Sequence, residues 1–331
     1  MRRLVTAALL VLAVGPAVAQ QAEQQNMSLV GQDDLQARSA YQPVIQRQGA
    51  RWIAYVGHHS GRRLNPLTGQ VELNGTSIVD VTDPGRPRYL HHIPGAAGEA
   101  EAGGAAMVRV CDGQALPKGD PTKTYLLRTL GNVSHEVWDV SGHTSFPVLG
   151  LAVPGWAGNA AGRVRDMVVL VSESLRNECQ EVRQLTFMVD VTDPTKPFPV
   201  STFEVPESPG SFCSRGGRFG PHSSNESFTP IYYGRLVFIA YFNGGVRAVD
   251  IRDPFHPREA GFYIPAVTPK TDQRCVSVGG TPRCKVAIQT NNVEVDDRGY
   301  VYIVDRADTG MHILELTGPA RAIANFPAKA D

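Results

Sequence analysis

TSIVDVTDP, residues 76–84, comes back as TFMVDVTDP at 186–194 and as VRAVDIRDP at 246–254. Each copy is an apolar run, then Asp, then an apolar residue, then x-Asp-Pro. A further proline follows each time: Pro87, Pro197 and Pro257. A second strand-like stretch comes next, at Tyr89 to Ile93, Val200 to Val205 and Ala260 to Ile264. Proline has no N–H for a sheet ladder and fixes its own φ, so Asp-Pro ends a strand in a turn and the next strand returns antiparallel. The recurring Asp80, Asp190 and Asp250 read as acceptors of backbone N–H groups in that turn, not as catalytic groups.

A weaker copy is HEVWDVSG, 135–142, and a degenerate one is MHILELTGP, 311–319. The marks Asp80, Asp139, Asp190, Asp250 and Glu315 stand 51 to 65 residues apart. That spacing suits one propeller blade of four strands plus its loops. A unit of two or three strands cannot bury its apolar face alone, so the copies must pack side by side. Helix signals are scarce in a chain with 33 glycines and 24 prolines among 331 residues. Strand signals are common: VEVDDRGYVYIVD (293–305) reads as a hairpin, and RLVFIAYF (235–242) and RWIAYVG (51–57) read as strands. The expectation is an all-β fold, a β-propeller of about five blades, each a four-stranded antiparallel sheet, over residues 28–320. Five marks make either a closed ring or an arc that self-association would complete.

The chain begins Met1-Arg2-Arg3, runs apolar from Leu4 to Val14, and reaches Ala17-Val18-Ala19. A basic start, a short apolar stretch and an Ala-x-Ala site describe an export signal, residues 1–19, cut after Ala19. Residues 20–27 then read as a linker and 321–331 as a tail, and the destination is periplasmic or secreted. No segment approaches the roughly 20 apolar residues of a membrane span. Loss of Arg2 and Arg3 leaves basic side chains two short of the 32 acidic ones. With no basic stripe, nucleic acid is not an expected partner.

Five cysteines are present, and an oxidising compartment lets disulfides persist. Cys275 and Cys284 flank VSVGGTPR, whose Gly-Gly-Thr-Pro reads as a turn, so they are the first choice for a bridge. Cys179 with Cys213 is the second, and Cys111 is left over. No C-x-x-C spacing points to a zinc or redox site.

At its Asp-Pro units the chain resembles the LVIVD-repeat family of secreted and cell-surface propeller proteins. The resemblance rests on IVDVTDP, MVDVTDP and AVDIRDP, and on the stretches NECQEVRQ, FCSRGGRFGPHSSNES (212–227) and KVAIQTNNVEVDDRGYVYIVDRADTG (285–310). It implies architecture and export, and it implies no activity. Family members carry further units between WDVSG and HTSFP, where here Gly142 runs directly into His143. On that resemblance Cys111 is odd because its partner is missing.

Aligned by their distance upstream of each repeat strand, Gln42, His143-Thr144-Ser145, His222-Ser223-Ser224 and Asn291-Asn292 hold similar places. The first strand of every blade lines a propeller's central channel, so these residues are expected to form a polar ring at one mouth. Gly216, Gly217 and Gly220 let the backbone cross tightly there, and Cys213 pins the loop. Loops on a rigid scaffold are where ligands bind. The ligand-binding candidates are Arg215, Arg218, His222, Asn291, Asn292 and Arg306. Arg215 or Arg218 would clamp an anion, or else bond loop carbonyls and neighbouring acids.

His59, His143 and His222 are candidate ligands of a transition metal, since imidazole suits zinc, copper, iron or nickel. His91-His92 reads as a surface pair in a return strand. No G-x-S-x-G, S-x-x-K, H-E-x-x-H or Walker loop occurs, so no nucleophile motif is present. Two functions follow from the sequence. One is an exported binding protein for a small molecule, a polymer or a protein at the loop face. The other is a metal-dependent oxidoreductase or lyase with histidines at the channel mouth.

Overall fold

The computed structural model describes residues 20–115, 120–129, 142–153 and 164–327, with Gly142 and His143 described in their backbone alone. The expected export signal and most of the HEVWDVSG copy lie outside the described residues. Among them the fold is all-β with one short helix.

The first strands are β1 (Glu23–Gln25), β2 (Met27–Asp33), β3 (Ala40–Gln48), β4 (Arg51–His58), β5 (Arg62–Asn65), β6 (Gln70–Leu73), β7 (Gly75–Asp80) and β8 (Arg88–Pro94). Next come β9 (Val108–Asp112), β10 (Thr124–Arg128), β11 (Gly142–Ala152), β12 (Val164–Ser172), β13 (Thr186–Asp190) and β14 (Phe198–Phe203). Then follow β15 (Phe219–Ser224), β16 (Leu236–Phe242), β17 (Val246–Asp250) and β18 (Arg258–Ile264). The last are β19 (Gln273–Val278), β20 (Thr281–Val286), β21 (Thr290–Val295), β22 (Val301–Asp305) and β23 (Met311–Leu316), before α1 (Gly318–Ile323).

Strands β3-β4-β7-β8 form one four-stranded sheet and β11-β12-β13-β14 another. A nine-stranded sheet runs β1-β18-β17-β16-β21-β22-β23-β2, with β15 also on β16. Its two halves touch through a single residue pair, Phe242 with Thr290. One half is therefore a five-stranded antiparallel unit, β15-β16-β17-β18-β1, and the other a four-stranded one, β21-β22-β23-β2. The hairpins β5-β6, β9-β10 and β19-β20 pair only within themselves.

The three strong sequence copies are the third strands β7, β13 and β17. Their aspartates act alike. Asp80 Oδ1 accepts the N–H of Thr82 at 3.0 Å, Asp190 Oδ1 that of Thr192 at 2.9 Å, and Asp250 Oδ1 that of Arg252 at 3.1 Å. The aspartates before proline repeat the device, Asp83 to Gly85, Asp193 to Thr195 and Asp253 to Phe255. These turns of the side chain onto its own backbone supply partners that the proline removed from the ladder.

Apolar side chains fill the spaces between facing sheets. Val237, Ile239 and Tyr241 of β16 pack with Phe146, Val169 and Met188 of the β11–β14 sheet. Leu236, Phe238 and Ala240 point the other way, toward Val293, Val301 and Ile303. Both faces of β16 are buried, which is why RLVFIAYF reads as a continuous apolar run and not an alternating one. Tyr302 and Val304 meet Ala54, Val56 and Val79 of the first sheet. Ile53 and Tyr55, on that sheet's other face, meet Val108 of β9.

The disulfides are Cys179–Cys213 and Cys275–Cys284, and Cys111 is a free thiol. Three expectations are corrected. Residues 20–27 are not a linker: Glu23, Gln24 and Gln25 pair with Ile264, Tyr263 and Phe262 of β18. The tail packs as far as it is described: Asn325 N–H donates to Ile231 O, and the Phe326 ring meets Tyr232 edge-on. His92 is buried and not on the surface, because the pleat turns it inward between β7 and Leu73, whose carbonyl accepts from its Nε2 at 2.9 Å. Burial pulls its pKa down to about 4.

Candidate functional site

The starts of β3 and β21 come together with the second half of β15. His222 Nδ1 lies 2.6 Å from the Asn291 carbonyl, so Nδ1 carries the proton and donates. The Ser223 hydroxyl donates to the same carbonyl at 3.1 Å. Asn291 Nδ2 donates to the Tyr41 carbonyl at 3.1 Å, and the Asn292 amide sits within 3.2 Å of that carbonyl and of His222 Nδ1. Of the aligned positions, His222-Ser223 and Asn291-Asn292 are neighbours, and β3 contributes Tyr41 to the group and not the aligned Gln42.

Tyr41 is the centre of the arrangement. Its ring stands edge-on to His59 at 4.9 Å and to His222 at 5.9 Å between centroids. Burial pushes its phenol pKa well up, with Glu101 and Glu173 adding to the rise and Arg306 opposing it. His59 Nε2 is 3.1 Å from Glu101 Oε1, and its Nδ1 is 3.3 Å from the Ser39 hydroxyl, which donates onward to Arg306 O. Burial lowers the His59 pKa, while Glu101 works against that.

Two arginines face this group. Arg218 Nη1 donates to Glu173 Oε1 at 2.9 Å, and its guanidinium lies over the Phe242 ring. Glu173 Oε1 is also 3.7 Å from His222 Nε2. Arg306 behaves differently. Its Nη2 is 3.6 Å from Glu101 Oε1, and its side chain donates no hydrogen bond among the described residues. Burial first, and Arg218 second, bring its pKa down to about 10. A guanidinium with five donors and one long ion pair is set up to take an acceptor.

The backbone under these side chains is fixed. Asp305 takes N–H bonds from Gln289 at 2.5 Å and Ala307 at 2.6 Å, which holds the turn that presents Arg306. The Cys179–Cys213 bridge ties the loop of Arg218 to the segment after β12, and Glu178 N–H donates to Gly217 O at 2.7 Å. Gly220 has φ +140°, and a Cβ there would stand 1.8 Å from Ser174 Oγ, so the crossing requires glycine.

Of the sequence candidates, Arg218, His222, Asn291, Asn292, Arg306 and His59 are gathered here. Arg215 is not part of the group. It pairs with Glu23 at 2.5 Å and donates to Gly210 O, with its guanidinium over the Phe212 ring. The His143 side chain lies outside the described residues. Gln42 sits lower on β3, accepting from Arg109 and donating to Glu226. Among the described residues the group of three metal-type donors drawn together is Cys179, Glu207 and Cys213, whose sulfurs are bonded to each other.

Sequence reasoning missed Tyr41, Glu101 and Glu173. Tyr41 adjoins Gln42 in the aligned blade entries and was within reach of that register. Glu101 sits in a short 3₁₀ turn and Glu173 just beyond β12, and neither position carries a local signal.

No family model and no curated protein matches this chain. Solved structures that overlap it include a candidate glycoside hydrolase from Parabacteroides distasonis, at 9% identity and a TM-score of 0.32 over 92% of this chain and 96% of that one. A glycosyl hydrolase from Bacteroides ovatus overlaps at 8% identity and a TM-score of 0.21, over 96% of this chain and 94% of the other. Overlap at that level bears on neither fold nor activity.

Proposed function

We propose that this chain is an exported, LVIVD-repeat binding protein built as a β-propeller, with its ligand site at the Tyr41 cluster. Four-stranded antiparallel units that pack face to face in series support the propeller reading, as does the pairing of β2 with β23. Two disulfides, and the absence among the described residues of a helix long and apolar enough to cross a membrane, support export.

The observation that carries the binding role is Arg306. A largely buried guanidinium with one long ion pair, beside a second arginine, is a costly arrangement unless an acceptor group relieves it. The ligand is a small molecule or the exposed part of a polymer or protein. It presents a carboxylate or carbonyl to Arg306 and stacks or hydrogen-bonds against Tyr41.

A thermal-shift screen of sugar acids, short peptides and simple organic acids tests this. The expected result is a rise in Tm with one class that disappears in Arg306→Met. A rise of equal size in Arg306→Met, or no rise with any class, sinks the proposal.

A further inference from the structure

The segment from Gly95 to Ala106 reads GAAGEAEAGGAA. Apart from Glu99 and Glu101, it holds no side chain larger than a methyl group. Ala96 and Gly104 exchange both backbone hydrogen bonds, at 3.1 and 2.9 Å, and so close the base of a strap. Residues 97–102 beyond that base are exposed. Among the described residues, one backbone bond joins the tip to the body, from the Ser60 N–H to the Ala100 carbonyl at 3.2 Å. A tip of this kind buries little apolar surface, so lifting it costs little. Ala100 at its centre has φ +46°, a left-handed conformation that disfavours alanine.

A carboxylate holds this tip down. Glu101 Oε1 stands 3.1 Å from His59 Nε2 and 3.6 Å from Arg306 Nη2. The second distance is long beside the roughly 2.7–2.9 Å of a charge-assisted hydrogen bond. On the other side of Tyr41 a matching set is tighter: Glu173 Oε1 lies 2.9 Å from Arg218 Nη1 and 3.7 Å from His222 Nε2. The cause is local. Glu173 follows directly on β12, while Glu101 hangs on the strap and is half exposed.

We propose that Glu101 is a built-in competitor for the Tyr41 site: its carboxylate stands in for that of the ligand at Arg306 and His59, and binding displaces it and lifts the strap. This rests on Arg306 as the ligand's anchor, and it narrows the ligand from a carbonyl or carboxylate compound to a carboxylate. Exchanging one carboxylate for another keeps the largely buried guanidinium paired. A neutral carbonyl that displaced Glu101 would leave the charge of Arg306 unpaired.

Calorimetric titration of the whole protein with D-glucuronate, N-acetylalanine and benzoate, each against its primary amide, tests this. At least one acid is expected to bind. Removing a competitor that holds the site about nine-tenths of the time tightens an acid about tenfold, which is the gain expected in Glu101→Gln. The amides should gain nothing. Glu99→Gln removes the same charge two residues away and should gain nothing either. Hydrogen exchange at the Ser60 amide reports the strap itself. It should speed up when the acid saturates the wild-type chain, and without ligand in Glu101→Gln. Equal acid affinity in wild type and Glu101→Gln, an equal gain in Glu99→Gln, or Ser60 exchange that stays the same or slows on acid binding overturns the strap and leaves the anchor standing. Acid binding that survives Arg306→Met, or no acid binding to any of these chains, removes the anchor and the strap with it.

Discussion

Met27 of β2 is paired in register with Leu316 of β23, so strands from opposite ends of the described chain share one sheet. Met27 is 1% exposed and packs with Leu314, Leu316 and Tyr263. Joining distant ends in one sheet replaces an unpaired β23 edge with a covered one.

Deleting residues 20–33 should therefore do more than trim a terminus. It removes β1 and β2, uncovers the edges of β18 and β23, and takes Met27 out of the core. The truncated chain is expected to aggregate on refolding, or to lose its cooperative thermal transition. A truncated chain that melts like the full one would show that the β2–β23 pairing is dispensable.

The Asp-Pro corners set a graded test. Asp190 is 2% exposed and accepts the Thr192 N–H. Asp190→Ala leaves that N–H without its partner and should cost about 1–3 kcal/mol. Asp190→Asn keeps an acceptor oxygen and should cost roughly half as much or less. Urea unfolding gives both numbers, and an equal loss in the two variants would contradict the acceptor role.

Glu294 gives the pH dependence a sign. It is 7% exposed, and burial pushes its pKa up to about 7 against the N–H groups of Val295 and Ser227, which favour the anion. The folded chain thus keeps a proton that an unfolded glutamate releases near its ordinary value of about 4.3. Between those two values the folded state binds more protons than the unfolded one, so this group's contribution to stability falls as pH rises and levels off above about 7. The loss from pH 5 to 8 should be on the order of 1–3 kcal/mol. Glu294→Gln should flatten that part of the urea-midpoint profile. Asp80 works in the opposite direction: despite the cost of burial, bonds from Thr82, Arg51 and Arg88 hold its pKa well down. Its stabilisation is lost only as pH falls below the ordinary aspartate range.

The disulfides differ in what they hold. Cys179–Cys213 closes a separation of 34 residues and Cys275–Cys284 one of 9. Loop-closure entropy gives roughly 3–4 kcal/mol for the first and 2–3 kcal/mol for the second. Replacing the first pair by alanines should also loosen the Arg218 loop and weaken any ligand that depends on Arg306. Replacing the second should lower Tm with little change in that affinity. Thiol titration of the native and the denatured protein should find one reactive group per chain, Cys111.

The architecture was legible because each copy repeats a backbone requirement. Proline and aspartate act on their own turn, so three copies announce three corners before any packing is known. The Cys pairs were legible for a similar reason: one spans an evident turn. His222 and Asn291 were legible because equal spacing from the repeat strand puts them at equal depth in their sheets. Arg215 was not, since two arginines three residues apart leave a loop in different directions. His92 was misread because one step along a strand reverses the face. Glu101 and Glu173 meet Tyr41 only through tertiary folding.

The β19–β20 hairpin turns at Gly279 and Gly280, with φ of +58° and +82°, and a Cβ at either would meet nothing within 4 Å. Its base is clamped by Cys275–Cys284, and its flank by Glu178, which pairs with Arg283 and Lys285. That makes the tip a natural handle: a fluorophore or affinity peptide grafted there would report on the molecule while leaving the Tyr41 cluster and every other sheet as they are.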